Sequence, residues 1–174
     1  MRFQLLILFL LGLTVSCSST KNRRLVAHGY NPETQITTLK IVPYGNIKIP
    51  GQWNKTNYNE VSGQHFFKDA DKNSIAVTKS LKEKYPFYKE NTSDQAFARS
   101  FFEWEKEYYE KQGFKITEQS AGANYIIWTA TGNNANTIFL YGAKDKYAYN
   151  FAVFSGSWTS EKRTDFLKKL FENN

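Results

Sequence analysis

Cysteine occurs once in 174 residues, at position 17, and histidine only twice, as His28 and His65. One cysteine excludes a disulfide within the chain. There is no His-Glu-x-x-His run, no cysteine pair and no dense carboxylate cluster, so no metal site and no cofactor are expected. Nucleophilic catalysis needs a base beside a hydroxyl or thiol. His28 falls in a polar stretch, and His65, between Gln64 and two phenylalanines, reads as a strand residue with its polar atoms satisfied. Gly122, Gly132 and Gly142 stand singly at turns, not in a phosphate-cradling loop. No catalytic residue is assigned. No apolar run reaches the roughly 20 residues that a spanning helix needs.

What is present begins at the N-terminus. Met1-Arg2 is followed by an apolar run from Phe3 to Val15 and then by Thr14-Val15-Ser16-Cys17. A short apolar core behind a positive charge, closing on small residues, has the form of an export signal. The stretch resembles a bacterial lipobox, with residues 1–16 as signal peptide and Cys17 as the lipid-attachment residue. Thr14 departs from the leucine usual three residues before that cysteine, although Leu13 stands one position back. An ordinary signal peptide with a chance cysteine is the alternative. By resemblance to bacterial sorting rules, Ser18 in place of aspartate favours the outer membrane, with the domain facing the periplasm.

Removing residues 1–16 leaves 158 residues, enough for one domain with a substantial core. The 14 Phe, 11 Tyr and 4 Trp supply the buried area that makes a disulfide unnecessary. Losing Arg2 lowers the formal charge from +7 to +6. Outside the cytoplasm such a charge points to lipid headgroups, anionic glycans or an acidic protein surface, and not to nucleic acid. Lys21, Arg23 and Arg24 lie just beyond the anchor, in a segment read as a polar tether over residues 17–34. The globular domain is expected over residues 35–174.

From Gln35 the pattern becomes that of strands, with Asn46-Ile47-Lys48-Ile49 alternating up to the turn Pro50-Gly51 and Trp53 beyond it. A hairpin is expected between Tyr58–Phe67 and Ser74–Thr78. Its joint, Asp69 to Asn73, imitates a calcium loop but has Ser74 at the sixth position and Ser80 at the twelfth, so it reads as a turn. Thr92-Ser93-Asp94-Gln95 is a capping-box start for a helix running to about Gln112, with Gly113 as its stop. Phe97, Phe101, Trp104 and Tyr108 at i, i+4, i+7 and i+11 are its expected core stripe. Glu103, Glu105, Glu107 and Glu110 are placed on the wet side among helical ion pairs. Strands follow over Phe114–Thr117, Tyr125–Thr131, Thr137–Tyr141 and Tyr147–Phe154. The last of these is apolar on both faces, as in a sheet covered on both sides. A second amphipathic helix runs from Thr159 or Ser160 to about Phe171, with Phe166, Leu167, Leu170 and Phe171 on one face.

The expected class is α+β: a central, mostly antiparallel sheet with helices on both faces. The order of elements resembles the PsbP-like family of α/β/α sandwiches, whose relatives include photosystem II extrinsic subunits, a nuclear-import factor and bacterial lipoproteins. The residues carrying the resemblance are Ile47 to Trp53 at the entry, Thr137 to Gly142 with Lys146 to Phe151, and Glu161 to Phe171. It would cover roughly residues 39–172. The family serves mostly as a docking module, so the resemblance implies no catalytic set, and fold alone does not fix function. The expected role is a non-enzymatic, membrane-anchored envelope lipoprotein that docks or assembles a protein partner. Trp53, after a turn, and Trp158, in a small-residue loop, are the candidate partner-binding residues. A glycan-binding accessory lipoprotein is an alternative if both tryptophans are exposed on one face, and a carboxylate hydrolase if two acids meet in a cleft.

Overall fold

The computed structural model describes residues 26–154 and 156–174; the expected signal peptide and Cys17 lie outside the described residues. Among the described residues ten strands form two antiparallel sheets, accompanied by two α-helices. The smaller has three strands in the order β1 (Val26–Asn31), β2 (Ile36–Ile41), β3 (Gly45–Pro50). The larger has seven. From one edge they are β4 (Asn54–Asn59), β5 (Gln64–Lys68), β6 (Ser74–Leu81), β10 (Tyr147–Val153), β9 (Ala135–Lys144), β8 (Tyr125–Gly132) and β7 (Lys115–Ala121). Helix α1 (Asp94–Lys111) separates β6 from β7, and α2 (Ser160–Glu172) closes the chain. The mixed α+β class with antiparallel sheets is the one expected.

Strand alternation divides the core in two. Ile138 and Leu140 of β9, with Tyr149, Phe151 and Val153 of β10, pack with Leu167, Leu170 and Phe171 of α2 and with Leu39, Ile47 and Ile49 of the small sheet. The intervening Phe139 and Tyr141, with Ala148 and Ala152, pack with Phe97, Phe101 and Phe102 of α1. One layer beside the large sheet is therefore α1 alone, and the other is α2 together with a second sheet.

Several boundaries move. Val26–Asn31, assigned to the tether, is β1, paired with β2 from Val26↔Ile41 to Asn31↔Ile36. The ladder satisfies the backbone groups that face β2, a gain that hydrophobic periodicity does not report. The arm expected over Tyr58–Phe67 is two strands, turning at Gly63, whose φ of 68° suits glycine. The cap of α1 is Ser93, which accepts from the Ala96 N–H at 3.2 Å, while the Thr92 hydroxyl donates to the Lys89 carbonyl at 2.7 Å. The calcium-like joint is a turn held by its own carboxylate: Asp69 accepts from the Asn73 N–H at 2.8 Å and from the Asn73 amide at 2.7 Å.

The stripe on α1 is half right. Phe97 and Phe101 are buried, but Trp104 is 44% and Tyr108 58% exposed. The buried set is Phe97, Ala98, Phe101 and Phe102. At 100° per residue its centre line passes close to Glu105, roughly 60° from the expected stripe. Ala98 is buried, and the sheet face that packs with Phe97, Phe101 and Phe102 contains Ala143, Ala148 and Ala152. The rings of Phe101 and Phe102 carry the contact with the sheet, on Tyr141 at 4.3 Å and Trp128 at 5.8 Å between centroids. Trp104 is left at the margin, against Tyr85 and Phe87 at 6.2 and 5.7 Å between ring centroids.

Candidate functional site

The two tryptophans singled out in the sequence do come together, but inward. Trp53 and Trp158 meet edge to face at 5.9 Å, and both pack on Phe166 of α2, at 5.5 and 5.2 Å. Trp53 is only 4% exposed. Its indole N–H donates to the Pro50 carbonyl at 2.7 Å and its backbone N–H to the Thr37 hydroxyl at 2.9 Å. Trp158 is partly buried, with the Lys162 ammonium 4.7 Å from its ring centroid. The loop before α2 folds back because Asn73 draws it in, its Oδ1 accepting from the Ser157 hydroxyl at 2.9 Å and backbone N–H at 3.2 Å. Trp53 is thus a core residue and offers no surface to a partner.

A concavity lies elsewhere. A groove of about 470 Å³ opens where the end of β6, the segment leading to α1 and the β9–β10 turn converge. Leu81, Lys82, Tyr88, Asn91, Asp145 and Lys146 line it, with Glu83 on the same wall. A 3-10 turn at Lys82–Lys84 leaves β6 here, and the Lys82 N–H donates to the Lys146 carbonyl at 2.9 Å. Asp94, the first residue of α1, organises the groove. Its Oδ1 takes the Lys82 ammonium at 2.7 Å and its Oδ2 accepts from the Asp145 N–H at 3.2 Å. A carboxylate at a helix N-terminus also gains from the helix dipole. Glu83 and Asp145 border the groove with Lys146, all three exposed. Such a rim can hold a polar ligand by charge.

A second group of cations adjoins it on the α2 side of the sheet. The Lys79 ammonium lies over Tyr147 at 4.4 Å and Tyr149 at 5.5 Å, and partial burial followed by the nearby Lys144 charge lowers its pKa. Lys144 donates to the Phe171 carbonyl at 2.7 Å, capping the C-terminal end of α2, and its own pKa is also lowered, by burial. Lys84 donates to the Tyr44 hydroxyl.

The acids of α1 divide. Lys111 pairs with Glu107 at 2.6 Å on the wet side, as the spacing implies. Arg99 prefers Glu118 of β7, in a two-pronged pair at 2.6 and 2.9 Å, over Glu103 at 3.9 Å. Glu105 is half-buried. Burial raises its pKa to about 7, with a partly opposing contribution from the nearby Tyr141 hydroxyl. The fully buried Tyr141 hydroxyl has no hydrogen bond of good geometry, and burial holds its pKa well above the usual phenol value. Among the described residues no group of three or more His, Cys, Asp or Glu side chains could hold a metal ion. His65 is buried and stacks on Tyr58 at 4.5 Å. Among the described helices none is long and apolar enough to cross a membrane.

Sequence reasoning missed the groove, because Leu81–Glu83, Tyr88–Asn91 and Asp145–Lys146 become neighbours only through β6–β10 pairing. The one available signal was Asp94 inside a capping stretch.

The architecture is that of a mixed α+β domain with a docked second sheet. No protein-family profile and no curated protein matches the chain. Among solved structures the chain is similar to the solution structure of cyanobacterial PsbP (CyanoP) from Synechocystis sp. PCC 6803. That similarity has 15% identity and a TM-score of 0.37, and covers 93% of this chain and 95% of that one.

Proposed function

We propose that this chain is an envelope lipoprotein, anchored through Cys17 in the outer membrane and facing the periplasm, that docks or assembles a protein partner without turning over a substrate. The observation that carries the reading is Cys17 itself: the sole cysteine, placed directly behind a short apolar run and small residues. Two or more acyl chains on that thiol would make anchoring stable where one would not. The partner-contacting role first given to Trp53 and Trp158 passes to Trp104 and Tyr108, the large aromatics that α1 leaves in solvent. Aromatic side chains able to become fully desolvated are the usual anchors of an interface. The glycan alternative required both tryptophans on one exposed face, and the burial of Trp53 removes its support.

Mass spectrometry of the mature N-terminus tests the anchor: the expected peptide starts at an acylated Cys17, and an unmodified peptide starting elsewhere overturns it. Density-gradient fractionation should place the protein with outer-membrane markers. Crosslinking in native membranes tests docking. Tyr108→Ala should reduce capture of the partner with no change in the urea midpoint. Turnover of a substrate abolished by Glu83→Gln or Asp145→Asn would make the protein an enzyme instead.

A further inference from the structure

β1 starts at Val26, opposite Ile41 of β2, which lies opposite Gly45 of β3. Val26 and Gly45 are thus two strand spacings apart, about 10 Å. Gly45 borders the lysines described above: a Cβ built on it would stand 3.8 Å from the Lys79 Nζ, and Lys84 bonds the adjacent Tyr44. The chain therefore enters the domain at its cationic end. Lys79 pairs with no carboxylate among the described residues, and its ammonium lies over two tyrosine rings. Two exposed apolar side chains stand at turns on this same end. Val42, 41% exposed, lies between β2 and β3. Val61, 99% exposed, tips the β4–β5 hairpin, just past the His65↔Val77 pairing in the direction of Lys79.

We propose that this end is a docking surface for the anionic phospholipid headgroups of the membrane that holds Cys17, with Lys79 and Lys84 meeting headgroup phosphates and Val42 and Val61 entering the interface. The inference rests on the lipoprotein reading of Cys17. Only residues 17–25 separate the anchor from β1, a stretch that spans no more than about 30 Å even when extended. Three of those nine residues, Lys21, Arg23 and Arg24, are basic. The short reach makes the tether end of the domain the part presented to the bilayer. Asp145 and Glu172 lie near Lys144, and Glu60 and Glu83 are exposed nearby, so the attraction concentrates on the Tyr44–Lys79–Lys84 corner. A partly desolvated ammonium without a carboxylate gains most from a phosphate. Apolar tips beside it can enter the headgroup boundary.

The acylated full-length protein, reconstituted in vesicles, tests this. With Cys17 acylated, Val42→Cys provides a unique thiol for an environment-sensitive fluorophore. In vesicles of phosphatidylcholine mixed with phosphatidylglycerol the emission should shift to the blue. In phosphatidylcholine alone, or at high salt, it should not. Lys79→Gln with Lys84→Gln should abolish the shift, while a reporter at Lys72→Cys, at the opposite end of β6, should remain water-like throughout. Acylation of Cys17 with a Val42 reporter that stays in water, or that responds equally in both vesicle types, overturns the inference and leaves the lipoprotein reading intact. An unacylated N-terminus overturns both.

Discussion

Gly142 of β9 lies under the ring of Phe171: a Cβ at position 142 would stand 2.5 Å from the Phe171 Cε2 and 2.7 Å from its Cζ. The side chain that α2 uses to seat itself on the sheet thus needs a hydrogen at that point. Gly142→Ala must push the ring, and with it the end of α2, off the strand. The expected cost is about 1–3 kcal/mol in urea denaturation. Replacing Gly29, where nothing lies within 4 Å, provides the matched control. Equal midpoints for the two variants would show that α2 is not seated through Phe171.

Trp53 and Trp104 should separate by burial. Trp53→Ala removes a core side chain and its indole hydrogen bond to the Pro50 carbonyl, and is expected to cost about 3–5 kcal/mol. Trp104→Ala loses only marginal ring contacts with Tyr85 and Phe87, and about 1 kcal/mol is expected. Thermal melts of the pair check the order; a larger loss at Trp104 would mean that α1 is turned the other way.

Glu105 makes stability depend on pH. Its folded pKa of about 7 lies above the ordinary carboxyl value of 4.5, so folding favours the protonated form. That contribution is complete below about pH 4.5 and is lost as pH rises through 7. Glu105→Gln, which keeps the shape without the charge, should therefore match wild type near pH 5 and exceed it by roughly 2 kcal/mol at pH 8. Parallel curves across that range would show that the carboxyl reaches water.

Lys82 and Asp94 hold the groove together. With side-chain exposures of 9% and 32%, the pair is drier than a surface ion pair. Lys82→Met leaves Asp94 with the Asp145 N–H alone. A loss of about 1.5–3 kcal/mol is expected, the range for a hydrogen bond to a charged group. Amide exchange should quicken at Asp145 and in the first turn of α1. Unchanged exchange there would mean that the helix start is held by Ser93 alone.

Both helices, the four C-terminal strands and the turn at Asp69–Asn73 were legible because each carries a local signal: a period, a cap or a self-bonding carboxylate. The β1 strand was not, since Val26-Ala27-His28-Gly29-Tyr30-Asn31 has little hydrophobic alternation and exists through its pairing with β2. The rotation of α1 was not legible either. Large rings dominate a hydrophobic stripe, yet Ala98 and Phe102 are buried while Trp104 and Tyr108 are left out. Trp53 shows a similar limit: a tryptophan after a turn can face either way, and Thr37, sixteen residues earlier, turns it inward. The groove required strands distant in sequence to be paired first.

The direction of β1 has a mechanical consequence. A pull on the chain ahead of Val26 acts along the strand, across hydrogen bonds that run perpendicular to it. All six residue pairs from Val26↔Ile41 to Asn31↔Ile36 then share the load in shear, instead of opening one after another as in peeling. The domain would meet tension on the chain ahead of Val26 with its whole edge strand, and should yield abruptly.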